Sequence, residues 1–248
     1  MTSATDEPAG ASPAPPAPGP EPPWWRGRAT NGRSRPPLSR EAIVDAAVRI
    51  VDAEGVDALT IRRLGEELGT GAATLYWHIS GKDELGELVY DRIMGEVELP
   101  EPDPVHWQEQ LKDLGLQAFR VMRKHRDAAR LSLGHVPVGP NMLRVIEWSL
   151  GLMRAAGIPD APAAYFGDIF GRFLDASVLE DTAGPSRHTS DDDDRASIDM
   201  IGQHFASLPA DQFPNIVALS SVMFGATDDE RFEFGLDVLM RGLSAYAR

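Results

Sequence analysis

The stretch TIRRLGEELGTGAATLYWH, residues 60–78, decides the fold of this chain. Thr60 is a favourable helix N-cap, and apolar residues follow it at helical spacing as far as Gly69. Glycine supplies the left-handed backbone that a tight turn needs, so a helix end is predicted there. A second short helix is predicted from Ala72 to His78. Two short helices joined by a tight turn form a helix-turn-helix.

A helix on each side of this stretch extends it. Ser39 is the predicted N-cap of the preceding helix and Gly55 its end, which completes a three-helix unit. The apolar positions between them lie at helical spacing: Ile43, Ala46, Ala47, Ile50 and Val51. A further helix is predicted from Lys82 to Glu96, and it leads out of the unit into the rest of the chain.

The second helix of the motif has the residues that a DNA major groove about 12 Å wide can accept. Small residues at its start permit close approach, and an alanine methyl can contact a thymine methyl. Arg62 is the candidate for guanine, and Thr74, Tyr76 and Lys82 suit phosphate oxygens. The alternative is that both helices serve packing alone. The predicted DNA-binding residues are Thr60, Ile61, Arg62, Gly71, Ala72, Ala73, Thr74, Tyr76, Trp77, His78 and Lys82.

The overall charge of −14 opposes DNA binding, but the charges are unevenly distributed. Residues 24–40 contain no acid, whereas acids concentrate later, as in the run 191–194. A basic arm ahead of an acidic body is compatible with these positions. The arginines of this arm are Arg26, Arg28, Arg33, Arg35 and Arg40.

Residues 1–37 hold ten of the twenty prolines in the chain, and this composition predicts a disordered tail. The tail is expected to be either a solvated extension or an arginine arm that enters the minor groove. It does not resemble a secretory signal, and no apolar run approaches the length of a membrane span. The absence of cysteine excludes disulfides and thiol catalysis. A cytoplasmic protein that does not bind membranes is expected.

The rest of the chain is predicted to be helical. Apolar residues at helical spacing indicate helices near residues 107–122, 141–156, 161–181, 195–207 and 228–246. A polar loop is expected over residues 182–194, and an irregular segment is expected between residues 207 and 228. No segment shows sustained alternation with a period of two, so the fold class is all-α.

Aromatic residues and methionines in this larger part are expected mainly in the core. The alternative is that some of them line an effector cavity together with a few polar groups. The candidate effector-binding residues are Trp107, Phe119, Met122, His125, His135, Met142, Trp148, Phe170, Phe173 and Glu180.

Two predicted helices place small residues beside large apolar ones, which permits close helix packing. Paired across a two-fold axis, they would form a four-helix dimer interface, and packing within one chain is the alternative. The candidate interface residues are Gly167, Gly171, Phe232, Gly235, Leu236, Leu239 and Leu243.

No residue set supports an enzyme. The triplet His125-Arg126-Asp127 resembles a kinase catalytic loop, but Ser132 stands where that loop requires asparagine. The aspartates at 191–194 lack the alternating spacing of a calcium loop. No cofactor and no metal are therefore expected.

The segment from Ile43 to Leu88 resembles the DNA-binding domain of the tetracycline-repressor (TetR) family. The resemblance lies in LTIRRL at 59–64, LG at 68–69, TLYWH at 74–78 and KDEL at 82–85. It continues more weakly in HRD at 125–127, LG at 133–134, Pro137, VLED at 178–181 and FEFGL at 232–236. It implies a homodimer whose C-terminal domain binds a small effector and then releases operator DNA.

Departures from the family pattern bear on the ligands. Ser132 stands where tetracycline-binding members have a magnesium-binding histidine, and Glu98 or a neighbour replaces a second histidine. Magnesium–tetracycline is therefore not the expected effector. Ala72 stands in place of a glutamine in the recognition helix, so a different operator is expected.

The chain is thus predicted to comprise a tail at 1–37, a helix-turn-helix domain at 38–84, and a helical effector-binding and dimerisation domain at 85–248. The expected function is ligand-responsive repression through a pseudopalindromic operator. The alternative is an effector-binding or interaction protein that has lost specific DNA binding, because acids outnumber bases around the motif. These acids are Glu54, Asp57, Glu66, Glu67, Asp83 and Glu84.

Overall fold

The structure is a computed structural model and describes residues 38–133, 136–183 and 191–247. Its helices are α1 (Arg40–Glu54), α2 (Ile61–Leu68), α3 (Ala72–Leu75), α4 (Lys82–Met94), α5 (Trp107–Lys124), α6 (Ala128–Ser132), α7 (Pro140–Ala155), α8 (Asp160–Ala183), α9 (Asp191–Ala206), α10 (Pro214–Gly225) and α11 (Asp228–Ser244). A 3₁₀ turn, Val56–Ala58, follows α1. No strand occurs in these described ranges, and the all-α prediction is confirmed.

The predicted ends of the first two helices are confirmed. The Ser39 hydroxyl accepts a hydrogen bond from the Ala42 amide, and the Thr60 hydroxyl accepts one from the Arg63 amide, both at 3.1 Å. These bonds satisfy amides that the first turn of a helix leaves without a helical partner. Gly69 ends α2 at φ 61° and ψ 37°, the left-handed conformation expected there.

The recognition helix α3 is shorter than predicted, because it ends at Leu75 rather than His78. Its N-cap, Gly71, has no side chain to cap it. Residues 76–78 instead form tight turns in which the amide of Trp77 donates to the carbonyl of Thr74. Such i to i+3 bonds commonly close a short helix.

Helix α4 connects the helix-turn-helix to the remaining helices. It packs against α1 on one side and against α5, α6 and α7 on others. At its N-terminal end the buried carboxylate of Glu84 accepts hydrogen bonds from Arg40 and from the Ser80 amide, each at 2.6 Å. Arg40 was grouped with the basic arm, but it belongs to the first turn of α1 and is held in an ion pair beside α4. The other arginines of that arm lie outside the described residues.

The C-terminal helices share a core in which α5, α8 and α11 meet. The rings of Phe119 and Phe232 stack at 3.9 Å between centroids, and Phe173 lies 5.0 Å from Phe232 on the other side. Gly235 allows this approach, since a Cβ there would lie 2.5 Å from the Phe173 ring. The stack joins α5, α8 and α11 into one packed unit.

Several C-terminal boundaries differ from the prediction. Helix α6 falls where no helix was expected, and α10 occupies the expected irregular segment. Pro214 begins α10 at the first position, where a missing amide costs no helical hydrogen bond. Helix α9 begins at Asp191 rather than 195, because acidic residues are favoured in the first turn of a helix. No helix in the described part of the chain is long and apolar enough to cross a membrane.

Candidate DNA-binding surface and effector region

Most of the predicted DNA-binding residues lie on the exposed surface of α2, α3 and the turns that flank them. The side chain of Arg62 is 91% exposed, and Tyr76 and Trp77 are also exposed. Ile61 and His78 are half-buried. The exposed remainder consists of Thr60, Gly71, Ala72, Ala73, Thr74 and Lys82. This part of the surface is open to a partner as large as a DNA duplex.

Buried residues beneath this surface fix its shape. Leu64, Leu75 and Ile79 are fully buried and belong to the same core as the apolar residues of α1. Gly65 brings the turn close to α2, since a Cβ there would lie 2.8 Å from the Thr70 carbonyl oxygen. The exposed side chains therefore stand on a rigid frame, which a binding surface requires if it is to recognise one sequence.

Acidic residues already pair with some of the arginines of the motif. Arg63 contacts Glu54 at 2.6 Å and Glu67 at 3.1 Å, and the Glu54 carboxylate raises the pKa of Arg63. Arg62 lies 3.4 Å from Glu66, and both side chains are exposed. An exposed pair of this kind contributes little to stability, so Arg62 can exchange Glu66 for another acceptor.

Most of the candidate effector residues belong to the core or to interhelical contacts. Trp107, Phe119 and Met122 are buried, and Phe170 and Phe173 are half-buried against the core. All five therefore take part in the packing of the core. His135 lies outside the described residues.

The remaining candidates on α7 and α8 are more accessible. Met142 and Trp148 are half-buried on α7, and the Trp148 indole donates to the Pro100 carbonyl at 2.7 Å. Glu180 is exposed. Met142 is the one of these three that borders a crevice between α4, α6 and α7.

His125 is buried where α5 meets α1 and the segment after α4, and it also lines a crevice between these elements. Its Nδ1 lies 3.0 Å from Asp52 of α1, and its Nε2 lies 3.2 Å from Glu96, just after α4. Beside it, the Asp127 carboxylate accepts a hydrogen bond from the Val56 amide at 2.9 Å. Arg130 pairs with Asp57 at 3.0 Å. The corner between α5 and α6 therefore docks on the C-terminal end of α1.

Three residues of the predicted dimer interface lie in the core of a single chain. Phe232, Leu236 and Leu243 are each at most 5% exposed. Gly235 faces Phe173 of the same chain. The assignment of Phe232, Leu236 and Leu243 to an interface was wrong, because side chains packed inside one chain cannot contact a second.

The other three predicted interface residues stay accessible to different degrees. Gly167 has open space above its Cα and is exposed, Gly171 has the same open space and is half-buried, and Leu239 is half-buried. The opposite faces of α8 and α11 expose large apolar side chains that the sequence interpretation missed. These are Tyr165, Ile169, Phe234 and Val238. The i, i+4 spacing within each pair was the available signal.

A polar cluster, in which Tyr90 is buried and Ser132 and Asp175 are half-buried, also escaped prediction. Tyr90 of α4, Ser132 of α6 and Asp175 of α8 meet beside the crevice that Met142 borders. The Ser132 hydroxyl donates to Asp175 at 2.9 Å. Burial raises the pKa of Tyr90 to about 12 and raises the pKa of Asp175. The three side chains offer hydrogen-bonding groups next to the apolar residues of this narrow crevice.

Two family profiles match the chain. The profile described as "Bacterial regulatory proteins, tetR family" matches residues 43–89. The profile described as "Tetracyclin repressor-like, C-terminal domain" matches residues 99–247. The junction between the two matches includes the C-terminal end of α4.

Solved and curated proteins are similar along most of their length. ActR of Streptomyces coelicolor, in complex with actinorhodin, is 41% identical, with 85% of this chain and 97% of ActR covered and a TM-score of 0.79. An HTH-type transcriptional regulator of Saccharopolyspora erythraea is 29% identical over 90% of this chain and 92% of its own length.

The HTH-type transcriptional repressor DrrR1 of Streptomyces coeruleorubidus is 29% identical over 89% of this chain and 82% of its own length. Members of this family bind operator DNA and small-molecule effectors, act as dimers and are not enzymes. The helix-turn-helix surface, the two family matches and these relatives show that the chain belongs to the TetR family of ligand-responsive transcriptional regulators.

Proposed function

We propose that this regulator is a repressor that binds a pseudopalindromic operator as a homodimer and leaves it when a small molecule binds. The exposed surface around Arg62 and α3 carries this proposal, because it presents hydrogen-bonding and apolar groups on a rigid frame. The name of the relative DrrR1 supports repression as the output. Since bacterial operators lie in the cytoplasm, the protein acts there.

The homodimer places one α3 helix in each of two major grooves. Half-sites about 34 to 36 Å apart match one helical turn of DNA. The exposed apolar side chains Tyr165 and Ile169 of α8, with Phe234 and Val238 of α11, form the contact between subunits. Two helices from each subunit then make a four-helix interface across a two-fold axis.

The effector is a small organic molecule that binds in the part of the chain after residue 84. The complex of ActR with actinorhodin supports this class of ligand. The crevice beside Met142 is a candidate entry, with Tyr90, Ser132 and Asp175 as hydrogen-bonding groups. The Ser132 hydroxyl donates to Asp175, and Ser132 stands where tetracycline-binding members have a magnesium-binding histidine. We therefore do not propose magnesium–tetracycline as the effector.

A selection of genomic fragments by the full-length protein, followed by a gel shift, tests operator binding. We expect the protein to retain one class of fragments, whose members share related half-sites. If no fragment binds better than random DNA, the chain is an effector-binding protein without specific DNA binding.

Actinorhodin is the first probe of the effector class. Added to the protein–operator complex, it is expected to release the DNA and to raise the melting temperature of the free protein. The variant Asp175→Asn should weaken both effects, and Asp211→Asn, at an exposed loop position, serves as the control. Equal responses of both variants would contradict the assignment of Asp175.

The arginines of residues 1–37 contact operator phosphates in this proposal. In a plot of log binding constant against log salt concentration, each DNA phosphate that these arginines neutralise makes the negative slope steeper by about 0.9. Deletion of residues 1–37 should therefore flatten the salt dependence of operator binding. An unchanged slope would show that the tail does not contact DNA.

A further inference from the structure

The first turn of α7 is capped by a side chain from α4. Gly139, its N-cap, has no side chain, and the amides that follow Pro140 need an acceptor. The Asp91 carboxylate accepts from the amide of Met142 at 3.0 Å and from that of Asn141 at 3.3 Å. It also accepts from the Asn141 side-chain amide at 3.0 Å. A buried acid of one helix thus supplies the cap of another.

Two glycines provide the space that this contact needs. A Cβ on Gly139 would lie 2.6 Å from the Asp91 Cβ atom and nearer still to its carboxyl group, so no larger residue fits. A Cβ on Gly95 would lie 3.0 Å from the Asn141 side-chain nitrogen. The backbones of α4 and α7 approach closely on both sides of the Asp91 carboxylate.

Further hydrogen bonds join α7 to the segment after α4. The Arg144 guanidinium donates to the Val97 carbonyl at 2.8 Å, and the Trp148 indole donates to the Pro100 carbonyl at 2.7 Å. Successive positions on α7 therefore hold residues 91–100 along its length. Together with the Asp91 contacts, these bonds attach α7 to the C-terminal half of α4 and to the segment that follows it.

The other end of α4 is tied to the DNA-binding helices. Glu84 accepts from Arg40, at the start of α1, and from the amide of Ser80, which follows the recognition helix. A displacement of α4 therefore changes the position of both. The two ends of one helix connect α7 to the helix-turn-helix.

We propose that Asp91 is a positioning residue that makes α4 follow α7, so that a movement of α7 changes the helix-turn-helix. The inference rests on the proposed function, because α7 borders the crevice assigned to the effector through Met142. Asp91 also lines this crevice, but its carboxylate is already occupied by donors of α7, so its role is to hold α7 rather than to bind the effector. Coupling between sites is reciprocal, so operator DNA must also alter α7.

Hydrogen exchange with mass spectrometry on the full-length protein tests this proposal. Asp91→Asn keeps the shape of the side chain but replaces one acceptor oxygen with an amide that faces a backbone N–H. Gly139→Ala places a methyl group where the carboxylate lies. Thr227→Ala is the matched control, since it removes the cap of α11, which packs on α5 and α8.

In the absence of DNA, both test variants should accelerate exchange in the first turn of α7 and also in residues 79–89. An acceleration of about fivefold or more in residues 79–89 corresponds to ordinary coupling between sites. The control should leave residues 79–89 unchanged. If the acceleration is confined to α7, or if Thr227→Ala produces it equally, Asp91 is only a local cap and the proposal is wrong.

The second measurement adds the operator fragment selected by the wild-type protein. Operator should slow exchange in the first turn of α7 in the wild type and in Thr227→Ala. In Asp91→Asn and Gly139→Ala this effect should be absent while residues 60–82 remain protected. If operator still slows exchange in the first turn of α7 in these two variants, the proposal is wrong. Absence of protection at residues 60–82 in the wild type would contradict the proposed function instead, and the DNA-free measurement still decides the role of Asp91.

Discussion

The helix-turn-helix and the C-terminal helices differ in how much of their large apolar side chains is exposed. In the first three helices Ile43, Ile50, Leu64 and Leu75 are fully buried within one chain. In α8 through α11, large apolar residues of every helix stay exposed, among them Tyr165, Ile169, Met200, Leu219, Val222, Phe234 and Val238. Exposed apolar surface on this scale marks an interaction site. The apolar residues of the DNA-binding part are thus buried mainly in the core that it shares with α4, whereas the C-terminal part leaves a large apolar surface for a partner.

The sharpest form of this contrast lies within α11, where Phe232 is 2% exposed and Phe234 is 71% exposed. Phe232→Ala should lower the free energy of unfolding by about 3 to 5 kcal/mol, because it removes a ring stacked between Phe119 and Phe173. Phe234→Ala should change that free energy by less than about 1 kcal/mol. Urea unfolding at several protein concentrations measures both.

Phe234→Ala should instead weaken dimerisation, which sedimentation equilibrium measures. If the two variants destabilise the chain equally, the distinction between core and partner-facing sides of α11 is wrong. A dimer of unchanged strength in Phe234→Ala would place the interface elsewhere.

The buried phenol of Tyr90 should make the free energy of unfolding depend on alkaline pH. The pKa of Tyr90 rises from 10.0 to about 12 because the phenol is buried. Because the pKa is higher in the folded state, the stabilisation by the neutral Tyr90 phenol is complete below pH 10 and is lost as the pH rises through 12. The free energy of unfolding should decrease by about 3 kcal/mol over this range.

Unfolding curves between pH 8 and pH 12 measure this decrease, and tyrosinate absorbance follows the ionisation. Tyr90→Phe removes the titrating group and should flatten the curve, whereas Tyr165→Phe, at an exposed position, should not. A pH dependence that survives in Tyr90→Phe would show that another group causes it.

On the DNA-binding side, Arg62→Ala should weaken operator binding by about 1 to 3 kcal/mol and relax specificity at one base pair. The weakening follows because Arg62 is exposed and its pair with Glu66 is a surface contact that DNA can replace. Fluorescence anisotropy with the selected fragment measures it.

Arg49→Ala is the control. Arg49 is also exposed and lies 3.8 Å from a glutamate, Glu67, but it belongs to α1 and not to α2 or α3. It should reduce affinity only slightly, through the removal of a positive charge. Equal reductions in both variants would indicate general charge attraction rather than recognition of a base.

The smallest effect is expected at the N-cap of α2. Thr60→Ala should lower the free energy of unfolding by about 1 kcal/mol, because the Arg63 amide loses its acceptor. Thr60→Ser keeps the hydroxyl and should restore most of that stability. Thermal unfolding followed by circular dichroism compares them, and identical values for alanine and serine would show that the cap contributes nothing.

Local signals made the helix-turn-helix predictable. Ser39, Thr60 and Gly69 determine helix ends through bonds and torsion angles within a few residues of themselves. The exposed positions around α3 followed from the same pattern, since Leu64 and Leu75 had to point inward. The end of α3 was placed too late because no local signal distinguishes a helix from successive turns at residues 76–78.

The C-terminal part depends on contacts between residues far apart in the chain, and sequence patterns predicted it less well. Phe232 and Phe234 are equally apolar, and only the rings of Phe119 and Phe173 decide which of them is buried. Ser132 was compared with a metal ligand, but its partner is Asp175, 43 residues away.

The all-α class, the helix-turn-helix and the caps that bound it follow from the amino-acid sequence alone, because they depend on periodicity and on neighbours along the chain. The pairing of Arg40 with Glu84 and the capping of α7 by Asp91 arise only when distant helices pack together. A charged residue in a helix pattern normally indicates a solvent-exposed position. Whether it is buried depends on which helix end lies against it, and that is fixed only when the whole chain packs.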